Sequence, residues 1–178
     1  NAQSVTIGSG TATSNYLPGY TYFNYAISQQ IYTAEEINAS GNITSIAFYN
    51  AGTTTNSNRA RKFDIYMAHS TKTGFEAPTS TTKDWIALTD DNIVYHGTDD
   101  VDFTPNAWTT FTLQTPFAYN GTDNLVVCVI DRSGDCTGSG TSANLYRVFS
   151  TGSAYQAIYT QSDGYSSLTP NGFNGTTS

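Results

Sequence analysis

Short runs of β-branched and aromatic residues, interrupted roughly every ten residues by Gly, Asn, Asp or Pro, restrict the fold of this chain most strongly. The runs are too short for ordinary helices, and Thr, Tyr, Phe, Val and Ile are the residues that strands prefer. Helix formers such as Leu, Glu, Lys and Arg are scarce. The pattern predicts an all-β fold, an antiparallel β-sandwich that is jelly-roll-like and has about nine to eleven strands.

Alternation of side chains assigns faces to several of these strands. Phe63, Ile65 and Met67 alternate with less apolar neighbours, which predicts a half-buried strand. Thr109, Phe111 and Leu113 share one face of a later strand, whereas Trp108, Thr110 and Thr112 share the other. The run at 125–130 is apolar on both faces and predicts a central strand.

Local signals predict the connections between strands. Thr33 and Glu36 have the spacing of a capping box, which predicts a single helical turn ending near residues 38–41. Residues 115–121 predict a bend that ends in the turn pair Asn120–Gly121. Further short strands are expected at 85–88, at 101–103 and at 145–149.

Length and charge restrict the class of protein and its partners. A chain of 178 residues suits one domain, and we expect residues 1–178 to form a single module. A net charge of -7, with only seven Lys and Arg, argues against a nucleic-acid partner and against docking on anionic membranes. No apolar run approaches the roughly 18 residues of a membrane-spanning helix, so we expect no membrane insertion.

Tyrosines near the two ends of the sequence are the most informative candidates for a binding site. Sugars have apolar C–H faces and a rim of hydroxyl groups, so they bind flat aromatic rings flanked by amide or carboxylate side chains. Terminal strands often pair, which would bring the two tyrosine groups together; the alternative for each ring is core packing. The candidate ligand-binding residues are Tyr16, Tyr20, Tyr22, Tyr155 and Tyr165.

The sequence gives no catalytic signature. It contains neither a Gly-x-Ser-x-Gly elbow nor a His-Glu-x-x-His motif. Glu35 and Glu36 are adjacent and therefore point apart, although glycoside hydrolysis needs two carboxylates facing each other. We expect that the chain is not an enzyme.

Several segments together resemble a module repeated in secreted multidomain proteins of Bacteroidetes. The resemblance extends over roughly residues 5–165 and is specific for the module rather than for its function. Its motifs are SQQIY at 28–32, ITSIAFY at 43–49, FDIYM at 63–67, WTTFTL at 108–113, PFAYNG at 116–121, NLVV at 124–127, RVF at 147–149 and AIY at 157–159.

This resemblance implies a jelly-roll sandwich that is secreted or held at the cell surface as part of a larger exported protein. Such modules are similar in kind to adhesin modules beside secreted proteases and to carbohydrate-binding modules beside glycoside hydrolases. Trp85 and Trp108 match the pattern of the module, which implies structural roles for both. The resemblance supplies no catalytic residues.

The end of the sequence departs from the pattern. The module has a final apolar strand after the segment that corresponds to 174–178, where this sequence stops. The strand is missing, is replaced by another segment, or is supplied by a neighbour that fills an open groove.

An exported location bears on the cysteines and on a metal site. Two cysteines this close in an exported protein predict a disulfide between Cys128 and Cys136; the alternative is an inert buried thiol at Cys128. Jelly-roll modules often carry a structural Ca²⁺, and Asp99, Asp100 and Asp102 supply the oxygen ligands that it prefers. The alternative is that these aspartates only stabilise turns.

We therefore expect a non-catalytic, carbohydrate-binding or adhesin-type accessory module. Its partners would be a glycan or polysaccharide and the other domains of the parent protein. The second interpretation is a protein-interaction module without a sugar site, which docks domains or assembles by strand exchange.

Overall fold

The computed structural model describes residues 3–52, 60–77, 84–136, 144–152, 154–164 and 168–173. Over these residues the chain forms two antiparallel sheets of four and five strands, which pack against each other, and a small hairpin. The predicted all-β sandwich is thereby confirmed.

The strands are numbered in chain order. They are β1 (Thr13–Ser14), β2 (Tyr25–Tyr32), β3 (Gly41–Asn50), β4 (Phe63–Ser70), β5 (Ile93–His96), β6 (Ala107–Tyr119), β7 (Asn124–Asp131), β8 (Tyr146–Arg147), β9 (Ala157–Ser162), β10 (Leu168–Thr169) and β11 (Gly172–Phe173). The helical segments are α1 (Ala34–Ile37) and a 3₁₀ turn at Asp90–Asn92.

The four-stranded sheet has the order β1-β8-β3-β6, and the five-stranded sheet has the order β5-β4-β7-β2-β9. Most connections therefore lead from one sheet to the other, as expected of a jelly-roll-like sandwich. Strands β6 and β9 lie at sheet edges. Strand β7 lies at the centre of its sheet and is buried on both faces, which confirms the prediction for the apolar run at 125–130.

Helix α1 forms where the capping box predicted it. The Thr33 Oγ1 accepts a hydrogen bond from the Glu36 N–H, and the Glu36 carboxylate accepts one from the Thr33 N–H at 2.7 Å. Asn38 ends the turn in the left-handed conformation, with a φ of 45°. These bonds satisfy backbone groups that so short a helix leaves unpaired.

The main core lies between the two sheets. Phe63, Phe103 and Phe111 form its aromatic centre, with ring centroids 5.6–6.0 Å apart. The spacing lets the rings pack edge to face or offset, as aromatic rings prefer. Phe48 adds an edge-on contact to Phe111 from β3, with centroids 6.1 Å apart.

A second apolar cluster covers the outer face of the five-stranded sheet. It joins Tyr66 of β4 and Cys128 of β7 to Leu88 of the segment at 84–88, and Leu168 of the β10–β11 hairpin packs against it. Strand β4 is therefore buried on both faces, so the prediction of a half-buried strand was wrong. Periodicity showed which residues alternate, but not that a loop covers the second face.

Gln29 fastens both covering segments to the sheet. Its side chain is buried, its amide donates to the carbonyls of Ile86 and Pro170 at 2.8 Å each, and its Oε1 accepts from the Ile86 N–H. The strand expected at 85–88 is an extended covering segment instead, and Trp85 packs against the cluster beneath it. The structural role expected for Trp85 agrees with this position.

Other boundaries differ from the predictions for local reasons. The strand expected at 101–103 is reduced to one bridge between Val101 and Arg61. Strand β6 continues through the expected bend as far as Tyr119, and Pro116 falls where the register with β3 shifts, which is where a strand tolerates proline. The turn follows with Gly121 at a φ of 75°. Within the described ranges, no helix is long and apolar enough to cross a membrane.

Candidate ligand-binding cleft

An open cleft of about 560 Å³ lies beside the sandwich. Both sheets contribute to its walls through β2, β3, β6, β8 and the start of β9. The N-terminal segment at 6–10 and the loop at 148–152 complete it. A cavity of this volume is large enough to hold a small organic ligand or a few sugar units.

One wall of the cleft carries the most exposed aromatic ring in the described chain. Trp108 of β6 is 56% exposed and lies directly opposite Tyr49 of β3 in the strand register. The two rings meet nearly at right angles, with centroids 5.4 Å apart. Phe48 and Thr109, their neighbours in sequence, are buried, so the alternation of the strands directs Trp108 and Tyr49 outward.

Arg147 of β8 completes this wall. Its guanidinium carbon lies 4.5 Å from the centre of the Tyr49 ring, a distance at which the cation and the ring attract each other. Tyr146, the preceding residue, is buried and pairs with Asn50 of β3, which holds β8 beside β3. Trp108, Tyr49 and Arg147 are called the aromatic wall below.

The rest of the cleft combines exposed rings with fixed polar groups. Phe149 and Tyr155 are each 50% exposed. The Gln156 amide donates to the Glu36 carboxylate at 3.0 Å and to the Ile31 carbonyl at 3.0 Å.

Tyr32 forms a second fixed polar pair in the cleft. It donates to the Gln30 Oε1 at 3.0 Å. Burial, with a smaller contribution from the nearby Glu36 carboxylate, raises the pKa of Tyr32 to about 12, so its hydroxyl stays a donor at neutral pH.

A separate group of rings contains three of the predicted residues. Tyr16 stacks on Tyr159 of β9 with centroids 4.9 Å apart, and Tyr20 lies 4.7 Å from Tyr16 and 5.8 Å from Tyr22. Tyr16, Tyr20, Tyr22 and Tyr159 are called the tyrosine patch. The Ser28 hydroxyl donates to the Pro18 carbonyl, which holds the segment after Tyr16 against β2, the neighbour of β9.

The structure thus divides the predicted residues between two places. Tyr16, Tyr20 and Tyr22 meet in the tyrosine patch, where their rings cover one another in part. Tyr155 lies in the cleft instead, and Tyr165 lies outside the described residues. The expected approach of the two terminal groups is realised by Tyr159, which had not been selected as a site residue.

The aromatic wall was missed, although the sequence held a signal for part of it. A structural role was expected for Trp108, but the ring projects into solvent. The alternation of 108–113 already placed Trp108 opposite the core residues Phe111 and Leu113. Nothing in the sequence indicated that Tyr49 would lie beside Trp108 or that Arg147 would contact Tyr49, because the three residues come from three different strands.

The aspartates expected to bind calcium lie on the loop after β5. Asp99, Asp100 and Asp102 are all exposed, and Asp99 accepts a hydrogen bond from the Thr98 hydroxyl. Among the described residues, no group of three or more His, Cys, Asp or Glu side chains is arranged to hold a metal ion. The calcium site stays a prediction.

The predicted disulfide is not formed, and this expectation is corrected. Cys128 and Cys136 are both free thiols. The Cys128 side chain lies in the second apolar cluster, where its Sγ is 3.5 Å from the Pro170 carbonyl oxygen, whereas Cys136 follows the end of β7. Closeness in sequence could not show that the Cys128 side chain is enclosed in the second apolar cluster. Burial raises the pKa of the Cys128 thiol far above its usual value.

Carboxylates in the cleft do not form the pair used in glycoside hydrolysis. Glu36 is the one carboxylate among the described lining residues, and it accepts hydrogen bonds from Thr33 and Gln156. Hydrolysis of a glycosidic bond ordinarily needs two such groups, one as acid and one as base or nucleophile. The described lining of the cleft therefore lacks the pair of carboxylates that this reaction ordinarily uses.

Comparisons of the chain with models of protein families, with curated proteins and with solved structures found no match. The fold and the geometry of the cleft are consequently the basis for the functional interpretation.

Proposed function

We propose that this chain is a non-catalytic carbohydrate-binding module that holds a glycan in the cleft, as an accessory or adhesin-type domain of an exported protein. The observation that carries the proposal is the exposed Trp108 ring, held beside Tyr49 in a cleft that also contains amide side chains. Several exposed rings grouped in one cleft beside fixed polar groups favour a ligand, whereas a single exposed ring would not.

The aromatic wall suits the apolar face of a sugar ring. A pyranose that stacks on Trp108 removes C–H groups and the indole face from water, and complete burial of a large side chain contributes about 1.5–3 kcal/mol. Tyr49 supports the indole edge-on, which limits the orientations that it can adopt. Less side-chain entropy is then lost on binding.

Polar groups around the wall suit sugar hydroxyls. Gln30 and Gln156 are already oriented by hydrogen bonds to Tyr32 and Glu36. Oriented amides can donate and accept at the same time, as hydroxyl groups require. Because the cleft is open, we expect modest affinity, with dissociation constants of about 1 μM to 1 mM, or about -8 to -4 kcal/mol.

The experiment is a binding screen of the purified chain against a panel of soluble and insoluble polysaccharides, repeated with Trp108→Ala. We expect at least one glycan to bind and Trp108→Ala to weaken that binding by about tenfold, the loss that corresponds to about 1.4 kcal/mol of stacking. Tyr22→Ala is the matched control, because it removes an exposed ring from the tyrosine patch and leaves the cleft intact. Circular dichroism checks that both variants fold.

Other outcomes would reassign the function. Loss of binding in Tyr22→Ala, with Trp108→Ala unaffected, would move the site to the tyrosine patch. Loss in EDTA alone would move it to Asp99, Asp100 and Asp102. A folded protein that binds no glycan in the panel would contradict the proposal and leave the protein-interaction module as the better account.

A further inference from the structure

We infer that the cleft selects an acidic sugar, a pyranose that carries a carboxylate, such as a hexuronate unit of a polysaccharide. The inference rests on the proposed function and concerns Arg147, which a neutral sugar would not require. The observation behind the inference is that the Arg147 guanidinium, in the aromatic wall, has no acidic partner among the described residues.

The other two described arginines each bind a carboxylate. The Arg61 Nε donates to Asp131 at 2.7 Å, and Arg132 donates to both carboxylate oxygens of Asp64 at 2.5 and 2.8 Å. Lys72 likewise pairs with Asp84. In a chain with twice as many acidic as basic residues, an arginine that has no carboxylate partner within the described ranges is unusual.

The geometry leaves the donors of Arg147 available to a ligand. The Tyr49 ring contacts the guanidinium from one side through a cation–π interaction. This interaction does not occupy the N–H groups, which can still donate hydrogen bonds to a carboxylate. Arg147 is exposed at its position in β8, so solvent reaches it. A planar guanidinium presents paired N–H groups that match the two oxygens of a carboxylate.

Trp108 and Arg147 together define what fits. Both contact Tyr49, Trp108 edge-on and Arg147 through its guanidinium. Because β3 lies between β6 and β8, Tyr49 stands between the indole and the charge. A hexuronate has an apolar ring face and a carboxylate that is attached directly to a carbon of the ring. One sugar unit can therefore stack on the indole while its carboxylate, or that of the next unit of the polymer, accepts hydrogen bonds from Arg147.

Glu36, the carboxylate of the described cleft lining, is already engaged. It accepts hydrogen bonds from the Thr33 N–H, the Thr33 hydroxyl and the Gln156 amide. It is therefore held by residues next to helix α1 and forms no ion pair with Arg147. The aromatic wall keeps a local positive charge, which favours an anionic sugar over a neutral one.

The test compares two forms of one polymer. Oligosaccharides of polygalacturonate are titrated into the full chain by calorimetry, beside the same oligosaccharides after chemical reduction of their carboxylates to alcohols; alginate oligosaccharides are a second uronate. We expect both uronates to bind at least about tenfold more tightly than the reduced form, the difference made by charge-assisted hydrogen bonds. Added salt should weaken this binding and narrow the difference.

Three variants assign the difference to Arg147. Arg147→Gln should bind the uronate and its reduced form equally, whereas Arg147→Lys should keep part of the preference because it keeps the charge without the planar fork. Lys62→Gln is the charge-matched control: it removes one positive charge outside the cleft and should keep the full preference. Urea unfolding checks that each variant is folded.

The outcomes separate this inference from the proposed function. Tight binding of the reduced or another neutral glycan through Trp108, without dependence on Arg147, would overturn the inference and leave the proposed function intact. Arg147-dependent binding of a sulfated polysaccharide in preference to both uronates would overturn the assignment of a carboxylate. Absence of binding to every glycan in the panel would overturn both.

Discussion

Two arginines of this sandwich, one buried and one exposed, differ in the partners that surround them. Arg61 precedes β4, is completely buried, and binds Asp131 together with the carbonyls of Asp135 and Phe23. Arg147 of β8 is exposed and rests on Tyr49 without an acidic partner in the described chain. In the first arrangement each guanidinium nitrogen has a partner within the protein, whereas in the second the guanidinium is exposed to solvent.

The same contrast extends to the surroundings. Around Arg61 the Asp131 carboxylate also accepts from the Ser133 N–H and hydroxyl, so both of its oxygens have hydrogen-bond partners. Around Arg147 the ring in contact is the half-buried Tyr49, which in turn contacts the exposed Trp108. Substitutions around Arg61 should therefore change stability, and substitutions in the cleft should change binding.

The largest effect is expected at the buried ion pair. Arg61→Met should lower the free energy of unfolding by about 3–5 kcal/mol, because Asp131 would remain buried without its counter-charge. Urea unfolding measures the loss. The double variant Arg61→Met/Asp131→Leu should recover part of it, since it removes both buried charges. A loss below about 1 kcal/mol in the single variant would contradict the contrast between the two arginines.

A smaller loss is expected where Gln29 fastens the covering segments. Gln29→Ala should cost about 2–3 kcal/mol, because the Ile86 N–H and the Pro170 carbonyl lose their partner in a buried place. It should also speed the reaction of Cys128 with a thiol reagent, measured in a Cys136→Ser background. Gln30→Ala, whose side chain lines the cleft, is the control and should leave the thiol protected. Equal labelling rates in both variants would argue that Gln29 does not hold the covering segments against the sheet.

Alkaline pH should lower the free energy of unfolding through Tyr66, which lies in the second apolar cluster. Burial, followed by the charges of Asp64 and Asp90, raises the pKa of Tyr66 to about 12, whereas an unfolded tyrosine has its usual pKa of 10.0. Between these values the unfolded chain loses the proton and the folded chain keeps it, so stability falls as pH rises. Tyr66→Phe should show a shallower fall, measured by urea unfolding at a series of pH values. An unchanged slope would place the titration elsewhere.

The smallest effect on stability is expected at the aromatic wall. Trp108→Ala should lower the free energy of unfolding by less than about 1 kcal/mol, the range of an exposed cross-strand pair. The same variant should lose glycan binding, so the two measurements separate the regions. A large loss of stability would show that Trp108 supports the fold, as its sequence pattern first implied.

Much of the fold could be predicted from local sequence. The capping box of Thr33 and Glu36, the turn at Gly121 and the central strand β7 all depend on residues within a few positions of one another. Their physical causes, hydrogen bonds to nearby backbone and alternation of side chains, are local too. The cover over the second face of β4 could not be predicted, because it comes from residues 84–88 and from the β10–β11 hairpin.

The candidate site follows the same division. The sequence by itself determined that Trp108 points away from Phe111, that Tyr16, Tyr20 and Tyr22 are close together, and that the chain carries few positive charges. Only the tertiary structure decided that Tyr49 lies beside Trp108 and in contact with Arg147, that Tyr155 joins the cleft, and that Cys128 and Cys136 stay free thiols. The physical reason is that periodicity assigns a side chain to a face, whereas sheet order decides which strands share that face.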